Sequence, residues 1–212
     1  MEDDRGRSAE RLVTFTDAVV AIAITLLALP LADIVREVSV AGGDLGDVVR
    51  DAAIPLLGFT ISFFVISRLW WAHHRIFQHV VRWDARLVQL TILWLFTIVL
   101  LAPITGLTGL SDPTDGTGSS TGEVAIYIGA MTVSSALLSA LARHVRRRPQ
   151  LTDGHDDDAE HRLFVSVETT LSFALALVIG TVLPFVHYFA LLTLVVTGQI
   201  GRLVWNRRHR AP

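Results

Sequence analysis

The 212-residue chain is 51% hydrophobic, carries a formal net charge of −2 and contains no cysteine. It is too apolar for an ordinary soluble domain of this length. The missing cysteine excludes thiol catalysis, disulfides and thiolate metal sites. All 18 basic residues are arginine, which reads as codon bias from a GC-rich genome and carries no functional weight.

A helix needs roughly 20 apolar residues to cross a bilayer core about 30 Å thick. Six runs reach that length, at approximately 12–32, 52–72, 87–110, 124–142, 163–183 and 185–205. They leave no room for a separate soluble domain. Residues 1–212 therefore read as one all-α, polytopic membrane domain of six transmembrane helices.

The first run is not read as a signal peptide, because it holds Asp17 and Pro30 and lacks a clear cleavage site. An acidic residue inside a span marks a structural or functional site by default. Asp17 lies about 8 Å into the run, at 1.5 Å per residue, near one interface. Its candidate partners on that side are Arg11, Thr16, Arg68, His73 and His74. At about 100° per residue, Ile22, Leu26 and Leu29 fall within roughly 60° of one another, with Thr25 bordering them and Arg11 and Phe15 extending the stripe; Asp17 lies about 140° from Ile22. One face is thus an apolar ladder beside a threonine, and the other holds the acid. On phase alone, ordinary packing of the stripe against a neighbouring helix is the favoured reading.

The second run, with Asp51 as its expected N-cap, closes on Trp70, Trp71, His73, His74 and Arg75. Tryptophans at this depth are interface anchors. Adjacent histidines point about 100° apart on a helix and make a poor metal site. The expectation is a hydrogen-bonded structural role for one of them, with no metal and no cofactor. Asp84 is the expected N-cap of the third run, and Pro103 with Gly106 marks a possible break in it. A polar linker, 111–120, follows, and Ser120 with Glu123 reads as a capping box opening the fourth run. The stretch 154–158 is an acidic loop that lacks the alternating ligands of a calcium site. Pro184 divides the last apolar stretch into two spans.

Arginines near membrane ends are retained in the cytoplasm. Sixteen of them fall in alternate segments on one side, and only Arg36 and Arg50 on the other. The alternation implies an even number of spans with both termini cytoplasmic, in a multi-pass protein of the inner (plasma) membrane.

Two of these segments resemble a known family. Arg11-x-x-x-Phe15-Thr16-Asp17 is similar to its Arg-x-x-x-Phe-Ser-Asp signature, followed by the Ala-Ile-x-Ile-Thr-Leu-Leu run at 21–27. Trp71-Ala-His73-His74-Arg75-Ile-Phe77 resembles its motif closing the second helix. The family is the endolysosomal potassium channel family (transmembrane protein 175), in its bacterial branch with a single six-helix repeat. The chain departs from it at Thr16, where serine is usual, and at Ala102-Pro103-Ile104, where Leu-Pro-Phe is commoner. The resemblance implies a homotetrameric channel for potassium and other monovalent cations, its central pore lined by the first helix. It implies a constriction at Ile22, Leu26 and Leu29, selectivity from Ile22 and Thr25, and a polar network of Arg11, Thr16, Asp17, His73 and His74 that fixes the helix. No Thr-Val-Gly-Tyr-Gly filter occurs, so selectivity for potassium over sodium would be moderate and would arise at hydrophobic constrictions.

The alternative is a secondary ion- or proton-coupled transporter, although no repeated motif supports two inverted halves. A membrane-embedded enzyme is the weaker third reading, since only Asp17 and Glu168 are acidic within the runs and no ligand set accompanies them. Partners are the bilayer and further copies of the chain, with no nucleic acid.

Overall fold

Helix formation begins before the apolar runs do. The computed structural model describes residues 2–109, 121–153 and 159–182. These form six α-helices and one short 3-10 helix. The α-helices are α1 (Glu2–Leu26), α2 (Leu29–Val40), α3 (Leu45–Phe77), α4 (Ala85–Gly109), α5 (Thr121–Arg146) and α6 (Ala159–Val182), and the 3-10 turn is Pro149–Leu151. Hydropathy finds only the stretch that lies in hydrocarbon, whereas a helix continues through the polar interface wherever its ends are capped.

Among the described residues, five segments are long and apolar enough to cross a membrane: Glu10–Val40, Pro55–Phe77, Ala85–Gly106, Ala125–Arg146 and Glu160–Ile179. The molecule is a multi-pass, all-helical membrane protein. The sixth expected run, the Pro184 turn, the linker 111–120 with Ser120, and the acidic loop 154–158 lie outside the described residues.

The first expected span is in fact two helices. Pro30 has no N–H for the carbonyl of Leu26, and its ring crowds that carbonyl. The chain tightens there: the Ala28 N–H turns to the Thr25 carbonyl at 3.1 Å, and the helix restarts with Pro30 in its first turn. α2 then ends in a Schellman closure. Gly43 N–H reaches the Val38 carbonyl at 2.9 Å and Gly42 N–H the Ser39 carbonyl at 3.2 Å, with Gly42 at φ 76°, a conformation only glycine adopts without strain. Two residues on, α3 opens with a reciprocal capping box between Asp44 and Asp47, each backbone N–H bonding the other's carboxylate at 3.0 Å. The N-cap is therefore Asp44, not Asp51; Asp51 lies within the helix and faces Arg50 at 3.4 Å. Asp84 does cap α4, accepting the Leu87 N–H at 2.8 Å. α4 runs unbroken past Pro103 and Gly106. Gly106 lies beside Pro30, where an added Cβ would meet the proline ring at 3.5 Å.

The core is built where α3, α4 and α5 converge on Trp94, Ile98, Leu101, Ile66, Met131 and Leu138, all essentially inaccessible. α1 packs on α4 and α3, and α5 with α6 forms the most extensive helix pair. At the arginine-rich end the two connecting loops pair. Val81 and Arg82 N–H groups both reach the Leu151 carbonyl at 2.9 and 3.1 Å, beside an antiparallel bridge between Val80 and Thr152.

Candidate functional site

α1 presents two unlike faces. Thr16, Val20, Ala23 and Leu27 recur at spacings of four, three and four, and all are buried in the core. The opposite stripe is open: Phe15 is 56% exposed, Ile22 60%, Leu26 40% and Leu29 56%. Arg11 and Thr25 are exposed along the same stripe. The stripe read from helical phase is thus the face that the described helices leave uncovered, so packing among those helices does not explain it.

Beside the bulky ladder runs a second exposed line of small residues, Ala18, Ala21, Thr25, Ala28 and Ala32. Small residues allow helix backbones to approach closely within a bilayer. Bulky exposed side chains occur elsewhere in the bundle, among them Phe63, Phe64, Trp71, Ile92, Leu93 and Phe96. The Thr25 hydroxyl donates to the Ile22 carbonyl at 2.7 Å. Its hydrogen is thereby occupied, and its remaining capacity is that of an acceptor, the property a cation needs.

Asp17 is half-buried on the flank of α1 and accepts a 2.7 Å hydrogen bond from the indole N–H of Trp70. The expected partners are engaged differently. The Thr16 hydroxyl donates to the Leu12 carbonyl at 2.8 Å. Arg11 is exposed on the open stripe. His73 is stacked between Trp94 and Phe77, with both ring centroids 4.4 Å away, and neither of its nitrogens has a hydrogen-bond partner among the described residues. His74 lies 5.8 Å from Trp71 in a stacked arrangement and 5.7 Å from Trp70, and its Nδ1 likewise has no partner among the described residues. The expected histidine hydrogen bond is replaced by aromatic stacking. The sequence carries only a general signal for Trp70: a buried indole N–H usually finds an acceptor, but which one is not encoded locally.

Two further polar centres hold the bundle. Ser62 of α3 lies 3.0 Å from Thr105 of α4 and 2.6 Å from the Tyr127 hydroxyl of α5, while Thr105 donates to the Leu101 carbonyl at 2.8 Å. One direction satisfies all three contacts: Tyr127 donates to Ser62, Ser62 to Thr105, and Thr105 to the backbone. At the arginine-rich end, Asp84 accepts from His144 at 2.9 Å and lies 4.0 Å from Arg148. Partial burial pushes the Asp84 carboxyl upward, but the Leu87 N–H, His144 and Arg148 outweigh it and hold the group below the usual carboxylate range.

Residues 11–102 match the model of the family described as endosomal/lysosomal potassium channel TMEM175. A potassium channel of Streptomyces collinus is 31% identical over 147 residues, covering 69% of this chain and 69% of that one. The crystal structure of a lysosomal potassium-selective channel TMEM175 homologue from Chamaesiphon minutus superposes with a TM-score of 0.68 at 21% identity. That alignment covers 97% of this chain and 100% of the solved one, so the two share a fold.

Proposed function

The chain belongs to the TMEM175 family of potassium channels, and from that premise we propose that it conducts potassium and other monovalent cations through a pore lined by α1 from four copies. The observation that carries this reading is the open stripe along α1 and the start of α2, bulky at Ile22, Leu26 and Leu29 and flanked by small residues. One helix per chain cannot enclose an ion path, and closed symmetric assemblies are the rule among homo-oligomers. The small residues let neighbouring copies of α1 come together, which turns the bulky ladder toward a common axis.

Ile22 forms the main constriction. It is β-branched and stiff at its first torsion. A ring of such side chains strips water from an ion and offers no polar group in return. Potassium holds its hydration shell less tightly than sodium, so it crosses such a ring more easily. The Thr25 oxygen, one turn further along, contributes an acceptor. Selectivity of this origin is moderate, unlike that of a carbonyl-lined filter. The arginine distribution supports a plasma-membrane protein with both termini in the cytoplasm.

Planar-bilayer recording of the reconstituted protein under potassium and then sodium gradients tests the proposal. Ile22→Asn wets the ring, so current rises and discrimination between the two ions falls. Unchanged conductance and selectivity in that variant place the ion path elsewhere.

A further inference from the structure

A groove of about 610 Å³ opens between α5 and α6 at the arginine-rich end of the bundle, well away from the stripe of α1. Its wall on α5 is small and apolar, Ala136 and Ala140, and its wall on α6 is Leu163 and Val167. Arg143, Arg146 and Arg147 line its polar end, and all three are exposed. The residues of α5 that line it fall on one stripe, because positions 136, 140, 143 and 147 are spaced by four, three and four. The helix persists far enough to hold the last of them in phase: the Arg147 N–H still reaches the Arg143 carbonyl at 3.1 Å.

The groove also has a fixed floor. Thr170 of α6 lies 2.9 Å from Ser139 and 3.0 Å from Ser135, hydroxyl to hydroxyl, which pins the two helices together one turn deeper than Val167. Between that pin and the arginines the small side chains of α5 leave space. The result is a largely apolar groove along the bundle surface, with Ser139 in its lining and three positive charges at its arginine-rich end.

We infer that this groove binds an anionic phospholipid, its phosphate held by Arg143, Arg146 and Arg147 and an acyl chain laid against Ala136, Ala140, Leu163 and Val167. The charge argues for the occupant: a guanidinium cluster matches a phosphate, and basic pockets between transmembrane helices at this depth suit anionic headgroups. The apolar wall argues for a lipid over a free anion, because a soluble phosphate uses none of it. The inference does not depend on the pore assignment.

The test uses the full-length oligomer in neutral detergent, titrated with phosphatidylglycerol or phosphatidylcholine, with bound lipid counted by native mass spectrometry. The wild type is expected to retain phosphatidylglycerol preferentially. The triple variant Arg143→Gln, Arg146→Gln, Arg147→Gln should lose that preference, with apparent affinity falling by on the order of 100-fold if the three charges act additively. The corresponding triple lysine variant keeps the charge and should retain most of the preference. Ala140→Leu fills the groove without touching a charge and should weaken binding as well. Equal retention of phosphatidylglycerol by the triple glutamine variant would overturn the assignment. So would displacement of the lipid by millimolar inorganic phosphate, which would mark a simple anion site. Loss of oligomeric mass in the glutamine variant would also overturn it, since a neighbouring subunit would then be the occupant.

Discussion

Removing the indole N–H of Trp70 isolates the contact that anchors Asp17. Trp70→Phe keeps an aromatic ring and deletes the donor of the 2.7 Å bond to the carboxylate. A hydrogen bond to a charged acceptor contributes about 1.5–3 kcal/mol in soluble proteins. Within membranes the unfolded reference also finds partners, and measured side-chain couplings average about 0.6 kcal/mol and reach about 1.7. Asp17 is half-buried and near an interface, so the coupling expected here is about 1–1.5 kcal/mol, in the upper part of the membrane range. The single substitution also removes part of a packed ring, so the pair term must be separated by a double-mutant cycle over Trp70→Phe and Asp17→Ala. Reversible denaturation of the purified protein from mixed micelles into sodium dodecyl sulfate, followed by circular dichroism, supplies the four free energies. Single-channel conductance and ion preference should be unchanged in Trp70→Phe, because the contact lies off the open stripe. A coupling below about 0.5 kcal/mol, the range of simple additivity, would refute the claim that this bond fixes α1. A change in ion preference with a normal assembly would refute the assignment of faces.

Two further outcomes follow from the same geometry. Thr25→Val keeps the shape and removes the hydroxyl oxygen; bilayer recordings should show reduced preference for potassium over sodium with oligomeric mass unchanged. Asp84→Asn should be less stable than the wild type at neutral pH, because the folded state holds the Asp84 carboxyl below its ordinary value of 3.8. That advantage is fully present above the ordinary value and disappears as pH falls through the lower folded value, where the carboxylate takes up a proton in both states. Thermal unfolding of both proteins across an acid pH series reads the convergence.

The open stripe was legible because it rests on helical phase alone. Ile22 and Leu26 stand on one regular helix, and nothing in tertiary packing changes their angular relation. Asp84 was legible as a cap because the residue that precedes an apolar run must meet the free N–H groups of the new helix. Asp51 failed for a related reason. It precedes the apolar run, but the helix begins earlier, where Asp44 and Asp47 cap each other. Apolar length shows where hydrocarbon begins, not where hydrogen bonding begins. The partners of Asp17 were not legible, since choosing Trp70 over His73 depends on the rotation of α3 against α1. The face that α3 turns to α4 is marked by His73 stacking on Trp94, a contact between residues 21 positions apart in sequence, which leaves Trp70 beside α1. The Ser62, Thr105 and Tyr127 contact was hidden similarly, because single hydroxyl residues on three separate helices carry no local signature.

The interruption at Pro30 divides the proposed conduction path between two rods. Ile22 and Leu26 ride on α1, whose buried face is locked to α4, whereas Leu29 rides on α2, which rests on α3 and is tied to it through Gly42 and the Asp44 cap. In the proposed pore, the ladder therefore comprises two constrictions in series, carried by separately packed helices.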